Sequence, residues 1–384
     1  MKKILLLGAS GSIGKQTLDV IKKNPQDFVL TAFSVGYRTR SIGSILRKNK
    51  SVKYIYLIDK KKTKYYQGRY SGITFENSLV DLIKHAEFDM AVNALVGFAG
   101  LLPSIEVLKR NKKLALANKE SLVVGGELIN KLLERSKGKL YPIDSEHSAL
   151  WKCLKVDDKA TKLILTASGG AFRSLKRSEL GEVKASDALK HPTWKMGKKI
   201  TIDCATMINK CFEIIEAGYL YNFPADKIGV TLHDESYLHS YVEYGDGSYR
   251  GELNKPDMRN PIKFALYEGN IPFDTVSFND LSELKRLHFH EFDPNRYPLV
   301  EFSKTVLSEK GTYGAVLNAS NEVAVNAFLN DEIAFLDIER IVNRCMKEHK
   351  NKTSPTIKDL IGVDSLTREK AYKMVNEIKG GMFE

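Results

Sequence analysis

The stretch ILLLGASGSIG, residues 4–14, joins a short apolar run to three glycines spaced three apart. The apolar run predicts a buried parallel strand, and the pattern that follows the glycines predicts a helix. Gly8, Gly11 and Gly14 form a G-x-x-G-x-x-G variant of the dinucleotide fingerprint. Such glycines allow a tight turn and let backbone N–H groups approach a pyrophosphate at the helix N-terminus. Their position between a strand and a helix favours a dinucleotide site over a turn without a ligand.

The second predicted strand, residues 28–35, is followed by Gly36-Tyr37-Arg38-Thr39-Arg40. NAD-binding domains usually carry an acid at the end of this strand, where it holds the ribose 2′-hydroxyl. An arginine suits a 2′-phosphate, which an acid would repel. The sequence therefore predicts NADP(H), with a solvated basic loop as the alternative.

Two carboxylates two residues apart, Asp144 and Glu146, follow an apolar step in the sequence. In an extended backbone residues i and i+2 point to the same side, so these carboxylates would repel unless a cation lies between them. Oxygen ligands suit Mg²⁺ or Mn²⁺ rather than zinc. The alternative is a solvated acidic pair at a strand end, because carboxylates are mostly exposed surface residues.

The middle of the chain contains a possible anion site and a possible lid. Ser168-Gly169-Gly170 follows a predicted strand, and it can offer a hydroxyl and backbone N–H groups to an anion or form an ordinary turn. The polar stretch 187–199 contains Trp194 and reads as a loop. An exposed tryptophan is costly unless it covers something, so we expect a flap.

Residues 203–217 predict one helix. Asn209, Lys210 and Glu213 would share a face of it, because they lie three and four residues apart. Such a face could join a metal site to a phosphate site. The alternative is a structural Lys–Glu pair, which contributes little when it is exposed.

Composition limits the class of protein without naming it. The chain has 384 residues, 43% hydrophobic and 28% charged, with a net charge of +12, as expected of an ordinary globular protein with two or three domains. The positive charge suits anionic small molecules, solubility or a nucleic-acid surface. No pair of the four cysteines forms Cys-x-x-Cys, which disfavours a zinc cage and favours a reducing cytosol. No apolar stretch is long enough to cross a membrane.

The element pattern predicts an α/β protein in four segments. Residues 1–143 form a Rossmann-like domain with a parallel sheet. Residues 144–268 form an α+β domain with a mixed sheet, which contains the candidate metal-binding acids and the candidate flap 187–199. Residues 269–297 form a linker with a short helix near 280–287. Residues 298–384 form a helical bundle, with helices at 318–329, 335–347, 356–363 and 366–378.

Several motifs, in this order along the chain, resemble those of the 1-deoxy-D-xylulose 5-phosphate reductoisomerase family. They are Gly8–Gly14 with Leu18-Asp19-Val20, Ala115–Ser121, Asp144–His147, Ser168-Gly169-Gly170, His191–Gly197, Asn209-Lys210 through Glu213, Pro256-Asp257-Met258-Arg259, and Asn318–Val325. The resemblance implies rearrangement and reduction of 1-deoxy-D-xylulose 5-phosphate with NADPH and Mg²⁺ or Mn²⁺. It also implies a cytoplasmic homodimer acting on a small sugar phosphate, without nucleic-acid or membrane partners.

The same resemblance assigns roles to individual residues. The implied metal ligands are Asp144, Glu146 and Glu213, and the implied catalytic residues add Lys119 and His191. The implied substrate contacts are Lys119, Ser145, Glu146, Ser168, His191, Trp194, Cys204, Asn209, Lys210 and Met258. The implied cofactor contacts are Ser10, Gly11, Ser12, Ile13, Gly36, Tyr37, Arg38, Asn118, Glu120 and Gly197.

The chain also departs from the family pattern at a few positions. Cys204 stands where the family usually has a phosphate-binding serine, and a thiol is a weaker hydrogen-bond donor than a hydroxyl. Ala167 and Ala171 replace the usual Gly and Pro around Ser168, and Asp234-Glu235 replaces a Pro-Gln pair.

Two other classes of protein fit part of the sequence. A metal-independent NADP dehydrogenase of the homoserine or semialdehyde type would share the first domain, but it leaves the carboxylates at 144, 146 and 213 unexplained. A nucleic-acid-binding protein would suit the charge of +12, but it predicts clustered basic residues with stacking aromatics. The lysines here are dispersed along the chain.

Overall fold

The structure is a computed structural model that describes residues 1–154, 159–189, 194, 196–271, 284 and 286–382. Its contacts divide the chain into two compact units. The first unit comprises Met1–Ser121, Ile129–Ser148 and Asp257–Thr275, and the second comprises Leu122–Leu128, Ala149–Pro256 and Val276–Glu384. The finer division into four segments stays a prediction. The short helix predicted near 280–287 falls largely outside the described residues.

Twelve strands and fifteen α-helices are assigned within the described residues. The strands are β1 (Lys2–Leu7), β2 (Phe28–Val35), β3 (Tyr54–Leu57), β4 (Thr74–Glu76), β5 (Met90–Asn93), β6 (Lys113–Leu116), β7 (Lys139–Pro142), β8 (Ala160–Ala167), β9 (Ile228–His233), β10 (Leu238–Tyr244), β11 (Tyr249–Leu253) and β12 (Phe289–Glu291). The helices are α1 (Ser12–Lys23), α2 (Ile42–Lys48), α3 (Lys60–Arg69), α4 (Leu79–His85), α5 (Leu101–Lys109), α6 (Glu120–Arg135), α7 (Ser145–Leu154), α8 (Ala185–Ala188), α9 (Lys198–Ala205), α10 (Ile208–Tyr221), α11 (Arg259–Leu266), α12 (Phe302–Glu309), α13 (Tyr313–Leu329), α14 (Phe335–Lys347) and α15 (Ile357–Lys379).

The first unit is built on a seven-stranded sheet in the order β4-β3-β2-β1-β5-β6-β7. Every neighbouring pair of strands in it is parallel. The apolar residues of β1 are fully buried, as expected for a strand of a parallel sheet that is covered on both faces. The predicted Rossmann-like sheet is therefore confirmed.

The glycine turn between β1 and α1 requires glycine at two positions. Gly8 has a φ of +89°, a value that side-chain-bearing residues rarely adopt. A Cβ atom on Gly14 would lie 2.3 Å from the carbonyl oxygen of Gly8. Helix α1 can therefore start close to the end of β1 only if both residues lack a side chain.

The segment that returns to the first unit after residue 256 is fixed to the sheet by Glu268. Its carboxylate lies 2.7 Å from Lys2 Nζ and 2.6 Å from Lys113 Nζ, and Tyr141 donates a hydrogen bond of 2.8 Å to it. Burial opposes the charged form, but the two lysines and Tyr141 lower the pKa of Glu268 to about 2. Glu268 therefore joins the starts of β1 and β6 to the segment that follows α11.

We expect Glu268→Gln to destabilise the first unit by about 1–3 kcal/mol at neutral pH, because it removes the negative charge that pairs with Lys2 and Lys113. The pKa of Glu268 is depressed in the folded state, so its contribution is complete above pH 4.5 and is lost as the pH falls towards 2. Thermal denaturation at several pH values measures the difference. Glu87→Gln is the control, because its pair with Lys3 is exposed. Equal melting temperatures for the two variants at neutral pH would contradict the prediction.

The second unit combines a mixed sheet with a large helical core. Its five strands lie in the order β11-β10-β8-β9-β12, with β8 and β9 parallel and the other pairs antiparallel. The buried core draws on helices α9, α10, α13, α14 and α15. The predicted mixed sheet and C-terminal helices are confirmed. The helices predicted at 356–363 and 366–378 form one helix, α15. Asp364 lies at the predicted break and accepts a hydrogen bond of 2.7 Å from Arg368.

The single helix predicted for residues 203–217 is wrong, because the chain breaks between α9 and α10. Met207 has a φ of 60° and lies between the two helices. The hydroxyl of Thr206 accepts a hydrogen bond of 3.4 Å from the N–H of Ile208. This local side-chain contact lets a new helix begin at Ile208, so Asn209 and Lys210 lie in a first turn instead of mid-helix.

No helix among the described residues is long and apolar enough to cross a membrane.

Candidate active site

The N-terminus of α1 has the features of a pyrophosphate site. Gly11 is extended and precedes the first helical residue, Ser12. The first N–H groups of a helix have no acceptor within it, and the helix dipole favours an anion there. The first turn of α1 contains no acidic residue that would repel a phosphate. Ser10 and Ile13 flank this turn, so the predicted cofactor residues at 10–13 lie together.

The end of β2 is basic, as the sequence predicts. The strand ends at Val35, and the Tyr37 and Arg38 side chains that follow Gly36 are exposed. Lys62 Nζ donates a hydrogen bond of 3.4 Å to the carbonyl oxygen of Tyr37, which brings a further cation to this loop. These residues fit a cofactor with a phosphate on its ribose.

Asn118 is nearly fully buried, and its side chain fixes the loop after β5. Its amide nitrogen donates hydrogen bonds to the carbonyl oxygens of Leu95 and Gly97, at 3.1 and 2.9 Å, and to the Glu120 carboxylate, at 2.9 Å. The sequence-predicted cofactor residues Asn118 and Glu120 are thus held beside a loop at the carboxyl edge of the sheet, where ligands of open α/β sheets bind.

Sequence reasoning missed three polar residues that support this loop. Asn93 donates hydrogen bonds to Gly100 O and to Ser104 Oγ, at 2.9 and 2.8 Å, and Ser104 Oγ lies 3.1 Å from Ser121 Oγ. All three side chains are fully buried. A polar residue at the end of an apolar strand, such as Asn93, is the signal that could have identified the network.

The carboxylate of Asp144 is held in the charged form by two neighbours. Its Oδ2 lies 2.8 Å from Lys119 Nζ, and its Oδ1 lies 3.3 Å from His147 Nδ1. Burial alone would raise the pKa of Asp144, but Lys119 and His147 hold it well below its usual range. Asp144 is therefore an anion that can bind a hard cation.

Asp144 and Glu146 lie at the start of a helix, which corrects the extended backbone expected for them. Helix α7 begins at Ser145, and the N–H of Glu146 donates a hydrogen bond of 3.3 Å to Asp144 Oδ1. The Ser145 hydroxyl donates to the Glu146 carboxylate. Carboxylate oxygens of Asp144 and Glu146 approach within 4.8 Å of each other. Helix capping, rather than strand alternation, therefore brings the two acids together.

In the second unit, Lys210 and Glu213 form a deeply buried ion pair. Their side chains are 3% and 1% exposed. Lys210 Nζ also donates to the carbonyl oxygen of Thr166 at 2.6 Å, and Asn209 donates to the other oxygen of Glu213. The structural Lys–Glu pair considered from the sequence is therefore present, but both of its charges lie in the interior rather than at the surface.

The Ser168-Gly169-Gly170 loop packs against the last turn of α9. Both glycines have positive φ, and a Cβ atom on Gly170 would lie 2.6 Å from the carbonyl oxygen of Cys204. The Ser168 hydroxyl accepts a hydrogen bond of 3.3 Å from the N–H of Gly170. Cys204 is partly exposed, unlike the chain's other three cysteines, which are buried. Ser168 and Cys204 therefore lie on adjoining segments.

The remaining predicted site residues are divided between the two units. Trp194 lies with its ring centroid 6.1 Å from that of His239, whose burial lowers its pKa. Gly197 immediately precedes α9 in the second unit, and Met258 precedes α11 in the first. His191 lies outside the described residues, as do several other positions of the predicted flap.

Asp234 and Glu235, the acidic pair that departs from the family pattern, have partners nearby. Asp234 lies 3.5 Å from Arg173 and 3.2 Å from His290, and Glu235 accepts hydrogen bonds from the backbone N–H and the ring of His288. They therefore join the end of β9 to the segment at β12.

A parallel sheet with a glycine turn, together with clustered carboxylates and buried lysines, defines a dinucleotide-dependent enzyme of the Rossmann-like class. Family models agree along the chain: 1-deoxy-D-xylulose 5-phosphate reductoisomerase matches residues 4–126, its C-terminal domain matches 140–221, and the DXP reductoisomerase C-terminal domain matches 253–370. The chain belongs to the 1-deoxy-D-xylulose 5-phosphate reductoisomerase family.

Similar proteins cover nearly the whole chain. A 1-deoxy-D-xylulose 5-phosphate reductoisomerase from Caldanaerobacter subterraneus subsp. tengcongensis is 43% identical over 97% of this chain and 99% of its own length. One from Bacillus cereus is 40% identical over 96% and 98%. The solved structure from Zymomonas mobilis, in complex with NADPH, is 32% identical with a TM-score of 0.88 over 97% and 99%. A DOX-P reductoisomerase in complex with NADPH, fosmidomycin and magnesium is 30% identical with a TM-score of 0.91 over 99% of both chains.

Proposed function

We propose that this protein converts 1-deoxy-D-xylulose 5-phosphate to 2-C-methyl-D-erythritol 4-phosphate with NADPH and a divalent metal ion, in the methylerythritol phosphate route to isoprenoid precursors. The observation that carries the proposal is the nearly full-length match to reductoisomerases, one of them solved with NADPH and magnesium. The chain keeps an acid at each implied metal-ligand position, 144, 146 and 213.

The donor atoms of the proposed metal ligands fit a hard cation. Asp144 and Glu146 supply carboxylate oxygens from the start of α7, and Glu213 supplies them from α10. Oxygen donors suit Mg²⁺ or Mn²⁺. Such an ion, when bound, polarises a carbonyl group and stabilises the negative charge that develops on its oxygen. Lys119 holds Asp144 in the charged state that this requires.

The second unit supplies the proposed phosphate site. The Ser168 loop offers a hydroxyl and backbone N–H groups, and Asn209 and Lys210 lie in the first turn of α10. A phosphate bound there would share Lys210 with Glu213, because Lys210 and Glu213 are already paired in the structure. Binding energy at the phosphate, away from the reacting carbons, can be used to close the segment around Trp194 and exclude water.

The proposed reaction has two parts, and we assign different residues of the site to each part. The carbon skeleton rearranges by retro-aldol cleavage and re-aldol joining to a branched aldehyde phosphate, near the acids and Lys119. The residues at the glycine turn would hold NADPH, which would supply the hydride that reduces this aldehyde. We also propose that the protein is a cytoplasmic homodimer. Light scattering of the purified protein tests whether it is a dimer.

The direct test is oxidation of NADPH by the purified protein with 1-deoxy-D-xylulose 5-phosphate, with and without a chelator. We expect substrate-dependent oxidation, loss of activity on chelation and recovery with added Mg²⁺ or Mn²⁺. Activity that persists after complete chelation would favour a metal-independent dehydrogenase. Absence of NADPH oxidation with this substrate would overturn the proposed function.

Arg38→Asp is expected to weaken the binding of NADPH more than that of NADH, because it replaces the partner of the 2′-phosphate with a charge that repels it. A hydrogen bond to a charged group contributes about 1.5–3 kcal/mol, so kcat/KM for NADPH should fall about tenfold to a hundredfold. Steady-state kinetics with NADPH and NADH measure the change. Arg47→Asp, at an exposed position of α2, is the control. Equal efficiency of the unmodified protein with both cofactors would contradict the assignment.

Cys204→Ser is expected to lower KM for the substrate about threefold to tenfold if the side chain faces the phosphate, because a hydroxyl donates a better hydrogen bond worth about 0.5–1.5 kcal/mol. KM and melting temperature, measured together, test this. Cys211→Ser is the matched control, because Cys211 is fully buried and its change should lower stability alone. A Cys204→Ser variant that behaves like the control would place the Cys204 thiol in the core.

A further inference from the structure

The Asn318–Val325 motif lies in α13, and its polar residues have no role in the site described above. Asn318, Ser320 and Asn321 are fully buried, although most of the helix packs in the apolar core of the second unit. Burying an amide costs free energy unless it is hydrogen-bonded. Asn318 donates a hydrogen bond of 3.0 Å to Glu322 and Ser320 donates one of 2.7 Å to the carbonyl oxygen of Val316, both within α13, whereas the partner of Asn321 lies on another helix.

Asn321 joins α13 to α9 through a buried carboxylate. Its Nδ2 donates a hydrogen bond of 3.0 Å to Asp203 Oδ1, and the other carboxylate oxygen of Asp203 lies 2.8 Å from Lys199 Nζ. Asp203 is only 2% exposed. Asn321 Oδ1 has no hydrogen-bond partner in the part of the chain that the structure describes, so the amide contributes here by donating to Asp203. We call these three residues the Asp203 network.

The Asp203 network lies directly beside the proposed phosphate site. The residue after Asp203 is Cys204, whose carbonyl oxygen packs against Gly170 of the Ser168 loop. Three residues after Cys204, the left-handed Met207 leads into α10, where Asn209 and Lys210 lie in the first turn. The position of α9 therefore fixes the spacing between the Ser168 loop, Cys204 and the start of α10.

We propose that Asp203 and Asn321 are positioning residues of the phosphate site. They hold α9 against α13, and they act on the phosphate through α9 rather than by contact. This inference rests on the proposed function and deepens it, because it assigns the buried polar face of α13 to substrate affinity. The effect can be large, since a displacement of about 1 Å far from the chemistry can cost a hundredfold in rate.

The first test is Asn321→Leu, which keeps the approximate size of the side chain and removes the donor. We expect KM for 1-deoxy-D-xylulose 5-phosphate and the inhibition constant of inorganic phosphate to rise together, by about tenfold, with kcat within about twofold. KM for NADPH should not change, because the glycine turn belongs to the other unit. Asn326→Leu is the matched control, because Asn326 is an exposed residue of the same helix.

A second pair of variants separates positioning from general stability. Asn321→Asp places a second carboxylate against Asp203 and should raise both constants further. The double variant Asp203→Asn/Asn321→Asp exchanges amide and carboxylate and restores a hydrogen bond between them. Because it also removes the charge that pairs with Lys199, it should recover part of the affinity lost in Asn321→Asp. The double variant also tests the proposal if Asn321→Leu does not fold.

The possible outcomes lead to different conclusions. A lower melting temperature for Asn321→Leu, with KM and the phosphate constant unchanged in the folded fraction, would overturn the positioning role. Failure of the exchange to recover affinity, when the double variant is folded, would also overturn it. An unmodified protein that is inactive on the substrate would instead refute the proposed function.

Discussion

Glu146→Gln should lower kcat by about three orders of magnitude, or roughly 4 kcal/mol, because metal-ion stabilisation of the developing oxyanion contributes several kcal/mol. Glutamine keeps the shape of the side chain and removes its negative charge. The hydrogen bond at the start of α7 runs from the backbone N–H of Glu146 to Asp144 Oδ1, so the substitution leaves it in place. The start of α7 should therefore remain folded. Melting temperature and NADPH affinity should therefore match those of the unmodified protein.

Turnover measured across a metal titration distinguishes a lost ligand from a lost fold. A lost ligand raises the metal concentration needed for half-maximal rate, and added Mn²⁺ should restore part of the rate. Glu134→Gln is the matched control, since Glu134 is an exposed residue of α6. Normal turnover of Glu146→Gln at low metal concentration would show that Glu146 is not a ligand.

Lys210→Met should have the largest effect on stability, with a loss of about 3–5 kcal/mol, because it leaves the Glu213 carboxylate buried without its cation. Substrate affinity should fall as well, because the proposed phosphate site loses its buried positive charge. Thermal denaturation and KM measure the two effects. Lys347→Met, at an exposed position on α14, should change neither.

A double-variant comparison tests the physical cause. Lys210→Met/Glu213→Gln removes both buried charges, so it should recover much of the stability lost in the single variant. It should not recover activity, since a proposed metal ligand has been removed. A Lys210→Met variant as stable as the unmodified protein would mean that the buried pair is not held together by charge.

The sequence predicted the elements whose causes are local. Gly8 and Gly14 predicted the turn before α1, because a backbone that approaches itself so closely admits only glycine. Arg38 predicted a basic loop after β2, because a single residue type distinguishes it from an NAD site. The α/β class followed from the alternation of apolar runs with amphipathic stretches, and the structure and the family comparisons confirm it.

Other features were not predicted from the sequence. The break at Met207 was missed because a left-handed backbone and one hydrogen bond to the Thr206 hydroxyl interrupt a sequence pattern that is helical throughout. Asn93 is a polar residue at the end of an apolar strand, but the sequence does not identify Ser104 as its partner, because only the fold brings the two side chains together. The spacing of Asp144 and Glu146 indicated a metal site, but the two acids meet through a helix cap that this spacing did not indicate.

The return of residues 257–275 to the first unit affects how the protein is synthesised. Helix α11 packs on α1, and Glu268 bonds to the starts of β1 and β6, so the first unit is complete only after Glu268 has emerged from the ribosome. Domains fold as units during synthesis, and contacts between distant residues form slowly. The first unit therefore stays incomplete while more than a hundred intervening residues are translated. During that time the side of α1 that α11 later covers is exposed. Fragments that end before α11 should consequently engage chaperones, whereas chains extended past Glu268 should not.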